Sequence, residues 1–475
     1  MDWSDARERF LFLATALEGS GGFRPRVRVT QAATPDGKTR DIPELVGPCY
    51  LDRYPRESAE KLAGRAKVAQ YINHLDRAVG RFTSFLGRRR PLRAGVDGPL
   101  MRLLVRDADM RSSPLDRFWA SFAREAKARG SMLLVIDMAR AADAVREDGA
   151  PAVQSLGDQI RLRAVPYLRA VPPEYIKDFN LDSETGAFES VSLSWSVERS
   201  GQLVNITRSW DAQGWQEHVD GELTDAAPHP FGVCPVLAFT EDGGTFPRVG
   251  RYAQIADISR RLFNARSERD ELLRSQTFSL LTYPVSPDAW STWEQNRDSI
   301  TATIGTHSML VHMGDTPAFI APPNGPIEAY GAAIAELEEQ IRVLSHADST
   351  ADGTSPAESG LARRQRFEAL NADLTAFAGQ MQALEMRVWA LFARGLGITN
   401  TAACEWPSDF NLADISAELD ILDQMQVTGF PPRVLQAKRR AIVAIEFDAA
   451  DEKTKADVLA AVDEQTQESA TGATP

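Results

Sequence analysis

Between Phe367 and Leu391 the apolar residues fall three and four apart without a break: Phe367, Leu370, Leu374, Phe377, Met381, Leu384, Val388 and Leu391. That spacing keeps step with the 3.6-residue turn of an α-helix for about seven turns. A helix of that length with one continuous apolar stripe needs a large core, or neighbouring chains, to cover it. The chain is long enough to supply a core. It has 475 residues, 43% hydrophobic and 25% charged, which are ordinary globular values and suggest about three domains. Cys49, Cys234 and Cys404 lie far apart, so no disulfide scaffold or Cys-rich zinc site is expected, and a reducing compartment fits. The start, MDWSD, lacks the order of a signal peptide, and no apolar run approaches the ~18 residues that span a bilayer. The expectation is a soluble protein made in the cytosol, with no membrane partner.

The rest of the chain reads as mixed α and β. A short amphipathic helix is predicted over 1–18 and a long one from about Arg56 to Leu86, with Leu62, Ala69, Ile72, Leu75, Val79, Phe82 and Leu86 as its stripe. A helix over 113–129 stops at Gly130 and enters the buried strand SMLLVID. Residues 160–240 are rich in strand-like alternation. Another long helix is predicted over 251–281, then short strands and turns with five prolines over 282–325, then a helix over 326–345. The stretch 346–360, HADSTADGTSPAESG, has no apolar pattern and reads as a loop. Beyond 400 come short helices in an acidic segment: 14 acids against 6 bases over 405–475, −8 of the total formal charge of −13.

Motifs of catalysis are missing. There is no GxxxxGK[ST] phosphate loop, no GxSxG elbow, no HExxH and no GxGxxG after a strand. His307, His312 and Asp315 are the nearest approach to a metal cluster, but their odd spacing on a strand sends the two histidines to opposite faces. Asp107 and Asp109 face one way if extended and could hold a divalent ion, although a plain loop pair is the better reading. No cofactor is expected. Arg88, Arg89 and Arg90 follow a helix end, where cations suit the dipole. Arg363, Arg364 and Arg366 open the longest helix, where cations do not, and a nearby polyanion would explain them. The net charge argues against a protein that coats nucleic acid, which would be basic.

The order of elements is more informative than any motif: an α/β region, a long helix, a β-rich excursion, a helix running back, a loop, a very long helix and an acidic helical end. Two helices flanking an inserted β module make a hairpin, and its apolar seams are expected to be covered by neighbouring subunits. Several stretches carry a resemblance to the portal proteins of tailed bacteriophages. They are RAKVAQYIN (65–73), PLDRF (114–118) followed by AKARGSMLLVID (126–137), HPFGVCPV (229–236), YAQIADISRRLFN (252–264) and SGLA (359–362).

That resemblance implies an α+β portal-like fold: a wing over 1–250, stem helices 251–281 and 326–345, and a clip over 282–325. It further implies a tunnel loop over 346–360, a long wing helix over 361–400 and a crown over 401–475. It implies a structural, non-enzymatic subunit that closes with its own copies into a ring of about twelve around a channel. The ring sits at one capsid vertex of the virion, is assembled in the host cytoplasm, and passes double-stranded DNA during packaging and ejection. Partners would be the terminase large subunit, then the head-completion adaptor, with the major capsid and scaffolding proteins. Glu336, Glu338, Glu339 and Arg342 would line the channel. Asp348, Asp352, Gly353, Ser355, Pro356 and Gly360 would form the tunnel loop, with Arg363, Arg364 and Arg366 as phosphate contacts beyond it. Trp290, Trp293, His307 and His312 would dock partners at the clip. Arginines outnumber acids along 251–281, whereas 326–345 holds four Glu and one Arg. The second helix is therefore expected to face the channel, since an acidic wall does not grip phosphates. The alternatives are a metal-dependent nucleic-acid-processing enzyme and a non-viral ring scaffold.

Overall fold

The computed structural model describes residues 2–33, 39–139, 152–199, 201–277, 280–285, 309–313, 318–320, 325–346, 360–410, 415–446, 454 and 457–463. Helix α1 (Trp3–Glu18) leads into a hairpin of β1 (Arg26–Ala33) and β2 (Thr39–Val46). Helices α2 (Ala59–Val68) and α3 (His74–Leu86) follow. They divide what the periodicity presents as one helix. Ala69 is extended at φ −64, ψ 136. Asn73 caps α3 by accepting from Asp76 N at 2.9 Å and ties it to α1 by donating to Leu17 O at 2.7 Å. Tyr71, in the gap, stacks on Phe23 at 4.0 Å and donates to Ala16 O. An aromatic contact and a cap outweigh an apolar spacing that runs on through the break.

Strand β3 (Leu92–Ala94), α4 (Pro99–Arg106) and α5 (Leu115–Arg129) come next. Helix α5 buries Leu115, Phe118, Trp119, Phe122, Ala123 and Ala126 on one face. It ends at Gly130, whose φ of +85 is left-handed, and enters β4 (Ser131–Met138). That strand is buried on both faces, as a continuous apolar run requires. Met132, Leu134 and Ile136 join the main core, and Leu133 and Val135 join a second core beneath the larger sheet.

After α6 (Leu156–Leu162), β5 (Pro166–Val171) pairs with β4. An antiparallel meander then runs through β6 (Ile176–Leu181), β7 (Phe188–Arg199), β8 (Gln202–Trp210), β9 (Gly214–Val219) and β10 (Glu222–Pro228) in sequential order. Strand β11 (Val236–Thr240) returns to the other side of β4.

Helix α7 (Ala253–Thr277) is shorter than predicted at its far end, because β12 (Leu280–Val285) begins at once. β12 pairs with β13 (Met309–Met313) in parallel and with β14 (Ala318–Ile320) antiparallel. Helix α8 (Gly325–Leu344) runs back, and α9 (Gly360–Gly395) follows. Its predicted stripe is a core face: Phe367, Leu370, Leu374, Phe377, Met381, Leu384 and Val388 are all buried, and Leu391 is half-buried. Strand β15 (Ala403–Glu405) then pairs with β3, and Cys404, Trp406 and Phe410 join the main core. Residues 403–410 thus pack into the body. Helices α10 (Ile415–Val427) and α11 (Pro432–Glu446) pack on each other, and Gln436 and Arg440 of α11 bond Asp463 in a further helical stretch over 457–463. The fold is a mixed α+β body carrying a helix pair.

Candidate functional site: the helix pair and its anchor

The two helices bury their apolar stripes within one chain. Ile255, Ala256, Ile258, Leu262 and Phe263 of α7 and Ile334, Leu337 and Ile341 of α8 belong to the main core. This corrects the expectation that neighbouring subunits must cover both seams. Helix α7 packs on α8 and on α1, α2 and α3, and its stripe is covered from Ile255 to Phe263. Leu273 and Val343 stay exposed.

The arginines of the first helix are engaged at home as well. Arg251 bonds Asp373 of α9 at 2.8 Å, Arg260 bonds Asp52 at 3.1 Å, and Arg266 bonds Glu338 of α8. Arg269 and Arg274 each reach an acid on their own helix, Asp270 and Glu271. These arginines are thus paired with acids of the body, of α8 and of their own helix, while Arg251, Arg260 and Arg274 keep 74%, 44% and 51% of their side chains exposed. Arg261 is exposed and has no ion-pair partner among the described residues.

On α8, Glu336, Glu338, Glu339 and Arg342 are all exposed, but they are not equivalent. Glu338 is held by Arg266. Glu339 accepts two hydrogen bonds from Arg342, at 2.6 and 2.8 Å, which hold its carboxyl below the usual range. Glu336 accepts from Gln340 Nε2 at 3.4 Å and has no ion-pair partner among the described residues. The neighbouring Glu268 of α7 pushes the Tyr330 phenol up to about 12, and burial together with Glu268 pushes that of Tyr54 to about 12.

The base of the pair is fixed by groups that the sequence reading passed over. Asp373 receives Arg251 from the start of the outgoing helix and His346 from the end of the returning one, at 3.1 Å. Burial works against its ionisation, but the His346 bond and the charges of Lys127 and Arg251 outweigh burial and keep its pKa low. Lys127, 1% exposed, pairs with Glu241 while its ammonium lies 4.0 Å from the Phe82 ring centre and 4.5 Å from that of Tyr252. The available signal was position. Lys127 sits among Ala123, Ala126 and Ala128 at the apolar end of α5, and Asp373 falls four before Phe377 on the α9 stripe.

Other expected residues fall elsewhere. Trp290, Trp293, His307, Asp315, Asp348, Asp352, Gly353, Ser355 and Pro356 lie outside the described residues. His312 is in β13, and Gly360, Arg363, Arg364 and Arg366 are in the first turns of α9; the side chains there are outside the description. Asp107 and Asp109 are engaged by their own loop and by Arg163. Asp107 pairs with Arg163 and accepts from Ser112 N, while Asp109 accepts from Arg111 N and Ser113 N. No group of three or more His, Cys, Asp or Glu able to hold a metal occurs among the described residues. No described helix is long and apolar enough to cross a membrane.

No family model matches the chain, and no curated protein does. Solved structures do return chains from phage-like particles. The chain is similar to one in the neck of the native gene transfer agent (GTA) particle, with 12% identity, 78% of this chain and 89% of that one covered, and a TM-score of 0.39. It is also similar to one in the virion of the native particle, with 12% identity, 76% and 87% covered, and a TM-score of 0.36. A third is an HK97 family phage portal protein from Corynebacterium diphtheriae, with 12% identity, 78% and 99% covered, and a TM-score of 0.33. Each of these likenesses spans about three quarters of the chain.

Proposed function

We propose that this chain is a portal subunit, a structural and non-enzymatic protein of the virion that closes with its own copies into a ring around a DNA channel. The observation that supports this reading is the order of elements. Helix α7 leaves the α/β body, a small three-stranded sheet is strung between its end and the start of α8, and α8 returns to an anchor on α9. In this reading 1–250 is the wing, α7 and α8 are the stem, and 282–325 is the clip that docks terminase and later the head-completion adaptor. Residues 346–360 are the tunnel loop, α9 is the long wing helix, and α10 and α11 belong to the crown. About twelve copies close the ring at one capsid vertex, built with scaffolding and major capsid proteins in the host cytoplasm. With α7 turned to the body, the exposed acids of α8 are the surface left for the channel, where they keep DNA sliding rather than held.

The pairing pattern decides which charges to reverse. Replacing Glu338 by Lys would set it against Arg266 and loosen the stem, so the informative variant is Glu336→Lys with Glu339→Lys. In a packaging assay with terminase, translocation by this variant is expected to slow several-fold at about 50 mM salt and to recover toward the parent rate at about 200 mM, because added phosphate contacts weaken steeply as salt rises. Unchanged translocation at both salt levels would contradict the orientation of α8.

A further inference from the structure

We propose that a cavity between α3, α5 and the segment around Trp406 binds a short acidic peptide of another protein, anchored by an apolar side chain. The cavity encloses about 430 Å³, and Leu86, Pro91, Trp119, Ala123 and Trp406 form its apolar walls. That is a binding surface for a few aliphatic or aromatic groups. Trp119 adds a polar requirement. It is 1% exposed, and its indole Nε1 has no hydrogen-bond partner among the described residues. A buried donor without an acceptor is costly, and a peptide carbonyl or carboxylate seated in the cavity would supply the acceptor.

The rim selects the sign of the occupant. Arg89, Arg90 and Arg117 border the cavity on a subunit whose formal charge is −13. Arg89 is tied to the Asp409 carbonyl, whereas Arg90 and Arg117 are exposed and have no ion-pair partner among the described residues. The carboxylate at the rim, Asp116, is consumed by Arg93 at 2.6 Å, so it does not cancel the arginines. Arg117 also borders a larger, open cavity of about 900 Å³ lined by Arg111, Arg169 and Asp109, with Arg169 3.8 Å from Asp137. Arg111, which is exposed, extends the cationic rim past the anchor pocket, which suits an extended acidic segment. Apolar walls under a cationic rim favour a peptide over a polyphosphate, which would leave the walls unfilled.

The test uses the purified full-length protein and a fluorescein-labelled peptide of sequence DELFED, followed by anisotropy. Controls are DEAAED, KKLFKK and a short DNA duplex. DELFED is expected to bind at least about tenfold more tightly than DEAAED or KKLFKK. Arg90→Glu combined with Arg117→Glu is expected to weaken it about tenfold or more, with the melting temperature unchanged because both side chains are exposed. Ala120→Trp, at the exposed mouth, is expected to block binding. Trp119→Phe removes the N–H and part of a buried ring system, and is expected to weaken DELFED about threefold while also lowering thermal stability. Equal affinity for DELFED and DEAAED would overturn the proposal, as would indifference to the arginine reversals. Tighter binding of the duplex than of DELFED would do the same and mark the strip as a nucleic-acid surface.

Discussion

Replacing Glu385 by Ala is expected to destabilise the protein by about 3–5 kcal/mol, the cost of breaking a buried, hydrogen-bonded charge pair. Glu385 lies in the middle of α9 and is 0% exposed. Its carboxylate accepts from Arg93 Nε at 2.5 Å, from Trp406 Nε1 at 2.8 Å and from Trp389 Nε1 at 3.3 Å. These donors come from β3, from the segment after β15 and from α9 itself, so one acid joins three stretches of chain. Asp116 gives Arg93 a second partner at 2.6 Å, but it is itself partly exposed and does not reach the indoles. Glu385→Gln keeps the shape and one acceptor oxygen, and is expected to cost about 1–3 kcal/mol. Guanidinium midpoints at matched protein concentration would measure both. Values for both within about 0.5 kcal/mol of the parent, the range of an ordinary surface change, would show that the network does not hold the fold.

The second large effect is expected at Gly130. A Cβ there would lie 2.0 Å from Gly250 N and 2.2 Å from Gly250 Cα, and the residue sits at φ +85. Neither backbone can retreat freely. Gly250 N donates to Arg129 O at 2.9 Å, Glu241 N donates to Gly130 O at 2.8 Å, and Ser131 holds Arg248 from both sides. Left-handed strain in a residue with a side chain costs about 1–3 kcal/mol, and forcing extra volume into a packed site costs about as much again. Gly130→Val is therefore expected to lose about 3–5 kcal/mol or fail to accumulate as folded protein. Because 250 is where the chain turns into α7, the departure of the helix pair from the body depends on this contact. Gly80→Ala in α3 is the internal comparison. A Cβ there meets nothing within 4 Å, and helix propensity predicts a gain of about 0.5–1 kcal/mol. If the two substitutions proved equally mild, the close approach of 130 and 250 would be wrong.

The sequence made the strongly periodic parts legible. The α9 stripe, the α5–Gly130–β4 passage and the outgoing and returning helices each carry their burial in local spacing. The break between α2 and α3 was not legible, because Ala69, Ile72 and Leu75 continue the helical pattern while the contacts that break it, Tyr71 on Phe23 and Asn73 on Leu17, come from residues far away in the chain. The pairing of the α7 arginines was not legible for a related reason. Composition counts arginines, but which acids they meet depends on Asp52, Asp373 and Glu338, none of which lies on that helix. Glu385 left a readable trace, as an acid four residues after Met381 and three before Val388 on an apolar face. An acid in that place is buried and paired or it is not tolerated. The segment beyond 400 could be read for its charge, but residues 403–405 form a strand of the body, since β15 needs β3, more than 300 positions earlier, to exist.

The in-chain burial of Ile334, Leu337 and Ile341 moves the case for a ring away from uncovered apolar seams. It now rests on the architecture of the helix pair and on the surfaces of the body. Native mass spectrometry of the purified protein, with images of the same sample, tests this directly. The portal reading predicts a closed ring with a central hole whose mass is a high whole-number multiple of the 52.2 kDa chain. A species that stays at the mass of one chain across protein and salt concentrations, with no ring in the images, would contradict it.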